Sequence, residues 1–267
     1  MKTYPKWLSA AVLSAMLASP AAALETKAKN VILMDYDTGE YLFAENAFVP
    51  VAPASMSKLM TVYVLFSKLK DGTLSLEDVF SVSENAWRTG GAASGSSTMF
   101  LPIGSKVTVE NLIKGIIIQS GNDACIVAAE NIAGSEEDFA ELMNAKAKEL
   151  GLKNSHFVNS TGLPHPDHRM SAEDLARLAQ ALIRDFPEYY SVFSQKSFTY
   201  NNILQGNRNP LLYSMPDADG LKTGHTAEAG FCLTASVKRG DRRLIGVMTG
   251  LKSNKERSEE AEKLMNW

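Results

Sequence analysis

Residues 230–250 read GFCLTASVKRGDRRLIGVMTG and predict a pair of β-strands. Two runs rich in apolar and β-branched residues flank Arg239-Gly240-Asp241-Arg242, a turn-forming cluster, which is the pattern of a β-hairpin. A similar pattern lies near the other end of the chain, where residues 31–47 read VILMDYDTGEYLFAENA around Asp37-Thr38-Gly39-Glu40. The sequence therefore places strands at both ends of the protein.

The middle of the chain has helical patterns instead. Residues Met56 to Leu69 are strongly periodic and end at Lys70-Asp71-Gly72, a glycine stop signal. Further helices are predicted over 108–118, 122–133, 136–150 and 171–185, and an amphipathic helix from Asn254 to Trp267. Residues 88–106 are rich in Gly and Ser and predict a long ordered loop with a functional role. Strands at both ends with helices between them predict a mixed α/β fold with a helical insertion.

Composition narrows the class of protein. The chain has 267 residues, of which 45% are hydrophobic and 21% charged, so it is an ordinary globular protein rather than a disordered, collagenous or coiled-coil one. Its net charge is -3, with 27 Lys and Arg against 30 Asp and Glu and no long run of either sign. This balance argues against nucleic acid as a partner.

The amino terminus has the order of a secretory signal. Lys2 and Lys6 precede an apolar stretch over residues 7–18, and small residues follow up to Ala23. The apolar stretch is shorter than the ~18–20 residues that span a bilayer, which disfavours an uncleaved anchor. We therefore expect cleavage after about Ala23 and an exported, periplasmic domain over residues 24–267.

The first candidate motif is Ser55 followed by Lys58. Residues three apart share one face of a helical turn, so a hydroxyl and an amine would be within reach of each other. A lysine with a lowered pKa can take the serine proton, and the N–H groups of a helix start favour a developing anion. A plain helix cap is the alternative for Ser55. Ser67 and Lys70 repeat the spacing, but in mid-helix without free N–H groups.

The second motif, Ser120-Gly121-Asn122, separates two predicted buried helices. A hydroxyl and an amide at such a break can pass protons and bind a substrate amide, whereas a turn with a capping residue is the alternative. Ser83-Glu84-Asn85 has the same form but follows a predicted strand, so we do not expect it to act.

The third motif is Lys222-Thr223-Gly224-His225, just before the carboxyl-terminal hairpin. Gly220 and Gly224 leave the backbone open to a ligand, and a lysine with a hydroxyl at a strand edge could hold a peptide carboxylate. The alternative is an edge strand with an exposed lysine that prevents aggregation.

The three motifs lie 65 and then 102 residues apart, and their order resembles that of low-molecular-weight penicillin-binding proteins, the serine-type D-alanyl-D-alanine carboxypeptidases. The segment Asn159-Ser160-Thr161-Gly162-Leu163 is also similar to that family, and the resemblance covers about Ala23 to Trp267. It implies a β-lactamase/transpeptidase-like fold, in which an antiparallel sheet built from the terminal strands is flanked by helices.

The resemblance also implies a role for each motif residue in bond chemistry. Ser55 would be the acylated nucleophile and Lys58 its base, while Ser120 and Asn122 would transfer protons and orient the substrate. The backbone N–H groups of Ser55 and His225 would form the oxyanion hole.

A second set of residues is expected at the substrate's terminal carboxylate. Lys222 and Thr223 would bind it, with Gly224 and His225 completing the strand beside it. Arg208, 14 residues before Lys222, resembles a family arginine near this carboxylate, although a solvated loop arginine is the alternative.

The implied function is removal of the terminal D-alanine from peptidoglycan pentapeptides through an acyl-enzyme, with β-lactams as covalent inhibitors. A D,D-endopeptidase and a non-catalytic penicillin sensor remain alternatives. A class A β-lactamase is disfavoured, because residues 151–172 contain no Glu to activate a deacylating water and only Asp167 as an acid. Members of the family usually continue into a β-rich domain and a membrane anchor, which we do not expect within residues 24–267.

No cofactor or metal is expected. The four histidines, His156, His165, His168 and His225, form no helical ligand pair and are expected in loops or at the surface. Cys125 and Cys232 are expected to be buried free thiols, and a disulfide between them is the alternative.

Overall fold

The computed structural model describes residues 24–267, and this range contains nine strands and eight α-helices. The strands are β1 (Asn30–Asp35), β2 (Tyr41–Glu45), β3 (Val79–Ser81), β4 (Lys106–Thr108), β5 (Ser197–Tyr200), β6 (Ile203–Gly206), β7 (Ala218–Thr226), β8 (Gly230–Arg239) and β9 (Arg242–Leu251). The helices are α1 (Lys58–Lys70), α2 (Val109–Lys114), α3 (Asn122–Ala133), α4 (Glu136–Glu149), α5 (Ala172–Asp185), α6 (Pro187–Tyr190), α7 (Leu211–Ser214) and α8 (Asn254–Asn266). The expected mixed α/β fold is confirmed.

The main sheet joins the two ends of the chain. Its five strands run in the order β2-β1-β9-β8-β7, and every neighbouring pair is antiparallel. Both predicted hairpins are present, since Arg239 pairs with Arg242 across the second turn and Met34 pairs with Tyr41 across the first. Strand β7 lies at one edge of this sheet.

The two faces of the sheet are buried against different helices. Because side chains alternate along a strand, Val31 and Leu33 of β1 face one way and Ile32 and Met34 the other. The first pair belongs to a small core that includes Leu264 of α8. The second pair belongs to the large core of the helical region. The sheet is thus a central layer between α8 and the helical insertion.

The helical region is built around α1, whose side chains are buried on nearly all sides. Helix α3 has the predicted bounds. Helices α4 and α5 are capped by the preceding residues, Ser135 and Ser171, whose side-chain oxygens accept the backbone N–H of the residue three positions later. The helix predicted over 108–118 is wrong in its second half. Helix α2 ends at Lys114 and continues as a wider π-type turn, Gly115–Gln119.

The predicted loop over 88–106 is ordered and contains little regular structure beyond two short turns, Ala86–Gly90 and Ala92–Ser94. It packs against the start of α3 so closely that a Cβ on Gly90 would lie 2.4 Å from the backbone nitrogen of Asp123. Strand β3 is the strand predicted before Ser83, whereas β4, the pair β5–β6 and the one-turn helices α6 and α7 were not predicted. Each has four residues or fewer, too short for a periodic signal.

Cys125 in α3 and Cys232 in β8 are both buried and free, as expected. His168 is buried within its loop, and Val158 donates its N–H to the ring. The predicted signal segment lies outside the described residues. Between residues 24 and 267 we find no helix with the length and apolar character required to cross a bilayer.

Candidate active site

The site begins at the turn that leads into α1. Ser55 lies in a 3-10 turn, Ala54–Ser57, so the α-helix starts at Lys58 rather than at the serine. Ala54 has a left-handed backbone, with φ of 49°, which is unusual for a residue other than glycine and is characteristic of functional sites. Lys58 Nζ lies 2.9 Å from Ser55 Oγ, and the carbonyl oxygen of Thr161 is its second acceptor.

Lys58 is poised to be a base. Its side chain is 0% exposed, and burial lowers the pKa of its ammonium group to about 8, an effect to which the positive charge of Arg208 adds. A free lysine has a pKa of ~10.4. A substantial fraction of Lys58 is therefore neutral near physiological pH.

The segment Asn159–Gly162 supplies the second acceptor. The Asn159 carboxamide oxygen accepts the backbone N–H groups of Thr161 and Gly162, at 3.2 and 2.8 Å. Gly162 has φ of 78°, and a Cβ there would lie 2.1 Å from the carbonyl oxygen of Ala54. The turn therefore presses directly against the segment that carries Ser55.

Ser120 and Asn122 lie at the break between the wide turn and α3. Ser120 is buried and left-handed, with φ of 65°, and Asn122 is the first residue of α3. Asn122 Nδ2 donates to Ser96 Oγ at 3.0 Å, while its buried Oδ1 has no protein partner within residues 24–267.

Asp123 organises the loop beside this break and was not singled out from the sequence. Its fully buried carboxylate accepts the Thr98 hydroxyl at 2.6 Å and the N–H groups of Met99 and Leu101 at 2.9 and 3.1 Å. These bonds hold the loop that carries Ser96 against α3. An acid in the first turn of a helix was a visible signal, but it indicated only a helix start.

Strand β7 forms the opposite wall. Lys222 is only 2% exposed, so the alternative of an exposed edge lysine is wrong. The Ser55 turn covers this part of the edge strand: a Cβ on Gly224 would lie 3.0 Å from the carbonyl oxygen of Pro53. Burial, and then the charges of Lys58 and Arg208, place the pKa of Lys222 well below its usual value.

His225 and Arg208 lie at the mouth of the site. The His225 ring is exposed and stacks on Phe231, with centroids 4.0 Å apart. Arg208 donates from Nη1 to Ser97 Oγ at 2.6 Å, which argues against a loose loop arginine, and burial lowers its pKa. The oxyanion hole at Ser55 and His225 stays a prediction.

A cleft of about 580 Å³ brings these groups together. Its walls come from the serine turn, the 88–106 loop, β7 and α8, with Ser55, Ser97, Ser120, Arg208, Pro210, Thr223, Gly224, His225, Phe231, Asn254 and Arg257 as lining residues. Sequence reasoning missed Arg257, a buried residue whose Nη2 donates to Asn254 at 2.9 Å and whose pKa burial lowers to about 10. Its burial depends on α8 folding back, which no local pattern shows.

Within residues 24–267, no group of three or more His, Cys, Asp or Glu side chains is arranged to hold a metal ion.

A serine in the turn before a helix, with a buried lysine in the first turn of that helix and both beside the edge strand of a five-stranded antiparallel sheet, is the arrangement of a class, that of penicillin-binding proteins and DD-transpeptidases. The structure superposes with a TM-score of 0.89 on penicillin-binding protein 5 from Haemophilus influenzae, at 40% identity over 92% of this chain and 72% of that one. It also resembles the Streptomyces K15 DD-transpeptidase, with a TM-score of 0.85, 26% identity and 98% of that chain covered. These similarities confirm the β-lactamase/transpeptidase-like fold.

The chain belongs to the D-alanyl-D-alanine carboxypeptidase family, whose sequence pattern matches residues 16–253. It is 49% identical to the D-alanyl-D-alanine carboxypeptidase DacC of Escherichia coli K12 over 88% of this chain, and 46% identical to DacD of the same organism over 91%. The chain spans about 60% of the length of these relatives, 60% of DacC and 63% of DacD.

Proposed function

We propose that this protein is a serine-type D-Ala-D-Ala carboxypeptidase that removes the terminal D-alanine from peptidoglycan pentapeptides. The observation that carries the proposal is the 2.9 Å contact between Lys58 Nζ and Ser55 Oγ at the floor of the cleft. A buried amine beside a hydroxyl is the arrangement that activates a serine for attack on an acyl carbon. Family membership supports the choice of D-Ala-D-Ala as the acyl donor.

Acylation starts from neutral Lys58. The amine keeps one N–H on the Thr161 carbonyl oxygen and turns its lone pair toward the Ser55 hydroxyl. As Ser55 Oγ attacks the carbonyl carbon of the penultimate D-alanine, its proton passes to Lys58 Nζ. The proton then reaches the departing amine of the terminal D-alanine by way of the Ser120 hydroxyl, which lines the same cleft. The products are free D-alanine and an ester on Ser55.

Deacylation uses the same groups in reverse. Lys58, neutral again, accepts a proton from a water that attacks the ester carbon. As the bond between the acyl carbon and Ser55 Oγ breaks, Lys58 returns this proton to Ser55 Oγ and the shortened peptide is released. A β-lactam acylates Ser55 by the same attack on its ring amide. Its leaving amine remains tethered to the acyl group and blocks the approach of water, which makes it a covalent inhibitor.

The cationic end of the cleft selects a substrate with a free carboxylate. Thr223 and Arg208 line the cleft, and Lys222 is the buried neighbour of Thr223 on β7. Charge-assisted hydrogen bonds from these groups would fix the terminal carboxylate, and with it the scissile bond, relative to Ser55. The diaminopimelate residue of a cross-link carries a carboxylate in the same position, so the choice of a carboxypeptidase over an endopeptidase is supported by family membership rather than by this contact.

The proposal is tested by digestion of purified pentapeptide and of cross-linked muropeptides, with mass spectrometry of the products. We expect release of one D-alanine from the pentapeptide and little cleavage of cross-links. Ser55→Ala should abolish both this release and labelling by a fluorescent penicillin. Ser67→Ala is the matched control, because Ser67 has the same spacing to Lys70 but donates to the Tyr63 carbonyl oxygen within α1. Cross-link cleavage as the main product would identify an endopeptidase instead.

We also propose that the chain is exported, on the strength of the sequence before Leu24. Expression in a Gram-negative host should yield a periplasmic protein whose amino terminus begins at about Leu24. A protein that retains Met1, or that stays in the cytoplasm, would contradict export.

A further inference from the structure

Arg208 is flanked by two buried asparagines at the end of the β5–β6 hairpin. Asn207 is 7% exposed and Asn209 1%. The Asn207 amide donates to the carbonyl oxygens of Phe193 and Gln195, at 3.3 and 2.9 Å. Asn207 therefore ties the segment that carries Arg208 to the turn after α6.

Asn209 makes a different connection. Its Nδ2 donates to the carbonyl oxygen of Gly220 at 2.8 Å, and its Oδ1 accepts the N–H of Leu211 at 3.1 Å. Its own backbone N–H donates to the Asn207 side-chain oxygen at 3.0 Å. Since Gly220 lies on β7 two residues before Lys222, the amide of Asn209 joins the Arg208 segment to the strand of the buried lysine.

This hydrogen bond matters because Arg208 and Lys222 are both basic side chains that are largely removed from water. Like charges repel, and the positive charge of Arg208 contributes to lowering the pKa of Lys222. The contacts on the opposite side of Arg208, to Ser97 of the 88–106 loop, do not reach β7. The hydrogen bond from Asn209 to Gly220 therefore sets the spacing between the two cationic elements.

We propose that Asn209 is a positioning residue for carboxylate recognition, which holds Arg208 and Lys222 in the register needed to bind one terminal carboxylate together. The inference rests on the proposed function for the identity of the ligand. It adds that discrimination between a free carboxylate and a neutral end group depends on a residue that contacts neither the ligand nor the reacting atoms.

The test is Asn209→Ala, assayed with a D-Ala-D-Ala peptide and with the same peptide amidated at its carboxyl terminus. We expect the ratio of kcat/KM for acid over amide to fall about tenfold, chiefly through KM, because one well-placed charged contact is lost. Asn131→Ala is the matched control. Asn131 also donates to and accepts from one backbone residue, Ser81, at 3.0 and 3.1 Å, but does not line the cleft. Its ratio should not change.

Asn209→Asp provides a second variant in case the alanine protein does not fold. It keeps the size of the side chain and the acceptor for Leu211, and replaces the donor to Gly220 by a repelling oxygen, so the ratio should fall again. Equal loss on acid and amide in either variant would show a purely structural role and overturn the proposal.

A separate readout keeps this proposal apart from the proposed function. The rate of Ser55 labelling by benzylpenicillin, compared with that of its methyl ester, reports the same carboxylate discrimination without any peptide. If the unmodified protein hydrolyses no pentapeptide, the carboxypeptidase proposal fails. The acid-to-ester ratio then still decides the role of Asn209, which an unchanged ratio in Asn209→Ala would refute.

Discussion

The two walls of the cleft differ in how far their polar groups are satisfied. On the helical wall, Lys58 has an acceptor on its own turn, Ser55, and another 103 residues away at Thr161. On the strand wall, Lys222 Nζ donates to the carbonyl oxygen of its neighbour Thr223 at 3.1 Å. This is the one hydrogen bond that Nζ donates within residues 24–267. The amine of Lys58 therefore has two partners before a ligand arrives, whereas the ammonium group of Lys222 has further N–H groups that a ligand would engage.

This difference separates chemistry from recognition. A base must be held in one geometry relative to its nucleophile, which two acceptors from different segments accomplish. A recognition group gains from being incompletely paired, because a charged partner then contributes its full interaction on binding. Substitutions on the helical wall should accordingly change the rate of bond chemistry, and substitutions on the strand wall should change the recognition of the carboxylate.

The largest effect is expected at the base. Lys58→Arg keeps the positive charge but cannot lose a proton near neutral pH, so acylation by a fluorescent penicillin should slow by about 10²–10⁴-fold. Thermal unfolding should confirm that the protein is folded. Lys70→Arg serves as the control, since Lys70 donates to the Asp185 carbonyl oxygen at the exposed end of α1. Acylation at a nearly normal rate in Lys58→Arg would remove Lys58 from the mechanism.

A smaller effect is expected on the strand wall. Lys222→Ala removes one charge-assisted contact of about 1.5–3 kcal/mol, so both turnover and penicillin acylation should fall roughly tenfold to 150-fold. On a peptide amidated at its carboxyl terminus the variant should lose little more, because both changes remove the same interaction. Losses that simply add would show that Lys222 does not bind the carboxylate.

The pH dependence of acylation should follow the neutral fraction of Lys58. With a pKa of about 8, the rate should rise about tenfold per pH unit below that value and level off above it. The positive charge of Arg208 disfavours the Lys58 ammonium, so Arg208→Ala should raise the pKa and move the rising limb to higher pH. Stopped-flow rates between pH 6 and 10 would measure this on the order of a few tenths of a unit. A shift to lower pH would contradict the electrostatic assignment.

The smallest effect concerns stability and has the opposite sign from activity. Lys222→Met replaces a buried ammonium by an apolar chain of similar length, a change that is often stabilising. We expect a Tm about 2–4 °C higher, the shift that ~1 kcal/mol produces in a protein of this size, together with slower acylation. Lys238→Met on β8, where the lysine is exposed, should leave Tm nearly unchanged. A lower Tm for Lys222→Met would mean that the ammonium holds the strand in place.

The local sequence predicted some helices more accurately than others. Helix α3 was predicted at its observed bounds, because its start and end are marked by Asn122 and Gly134. Helix α2 was predicted too long, because the change to a wide turn at Gly115 has no local signal in the sequence. A Cβ on Gly115 would lie 2.3 Å from the sulfur of Met99. That contact joins residues far apart along the chain.

Burial at the site was the least accessible property. Lys222 sits on an edge strand, and its sequence neighbours do not show that the Ser55 turn covers it. The acceptor at Thr161 and the guanidinium of Arg257 likewise reach the cleft from distant segments. The three motifs predicted residues from distant segments that line one cleft, such as Ser55, Ser120 and Thr223. The burial and the hydrogen-bond partners of the motif residues depend on tertiary contacts that no periodicity reports.

One of those contacts bears on how the gene can vary. Lys58 is anchored by a main-chain oxygen at position 161, and every amino acid supplies such an oxygen. The next residue, Gly162, has no room for a side chain. Because the Thr161 side chain is buried, a saturation library selected for β-lactam binding should accept small residues such as serine at position 161 and almost none but glycine at position 162. Two neighbouring codons would then differ in mutational tolerance, although both residues help to position the same amine, that of Lys58.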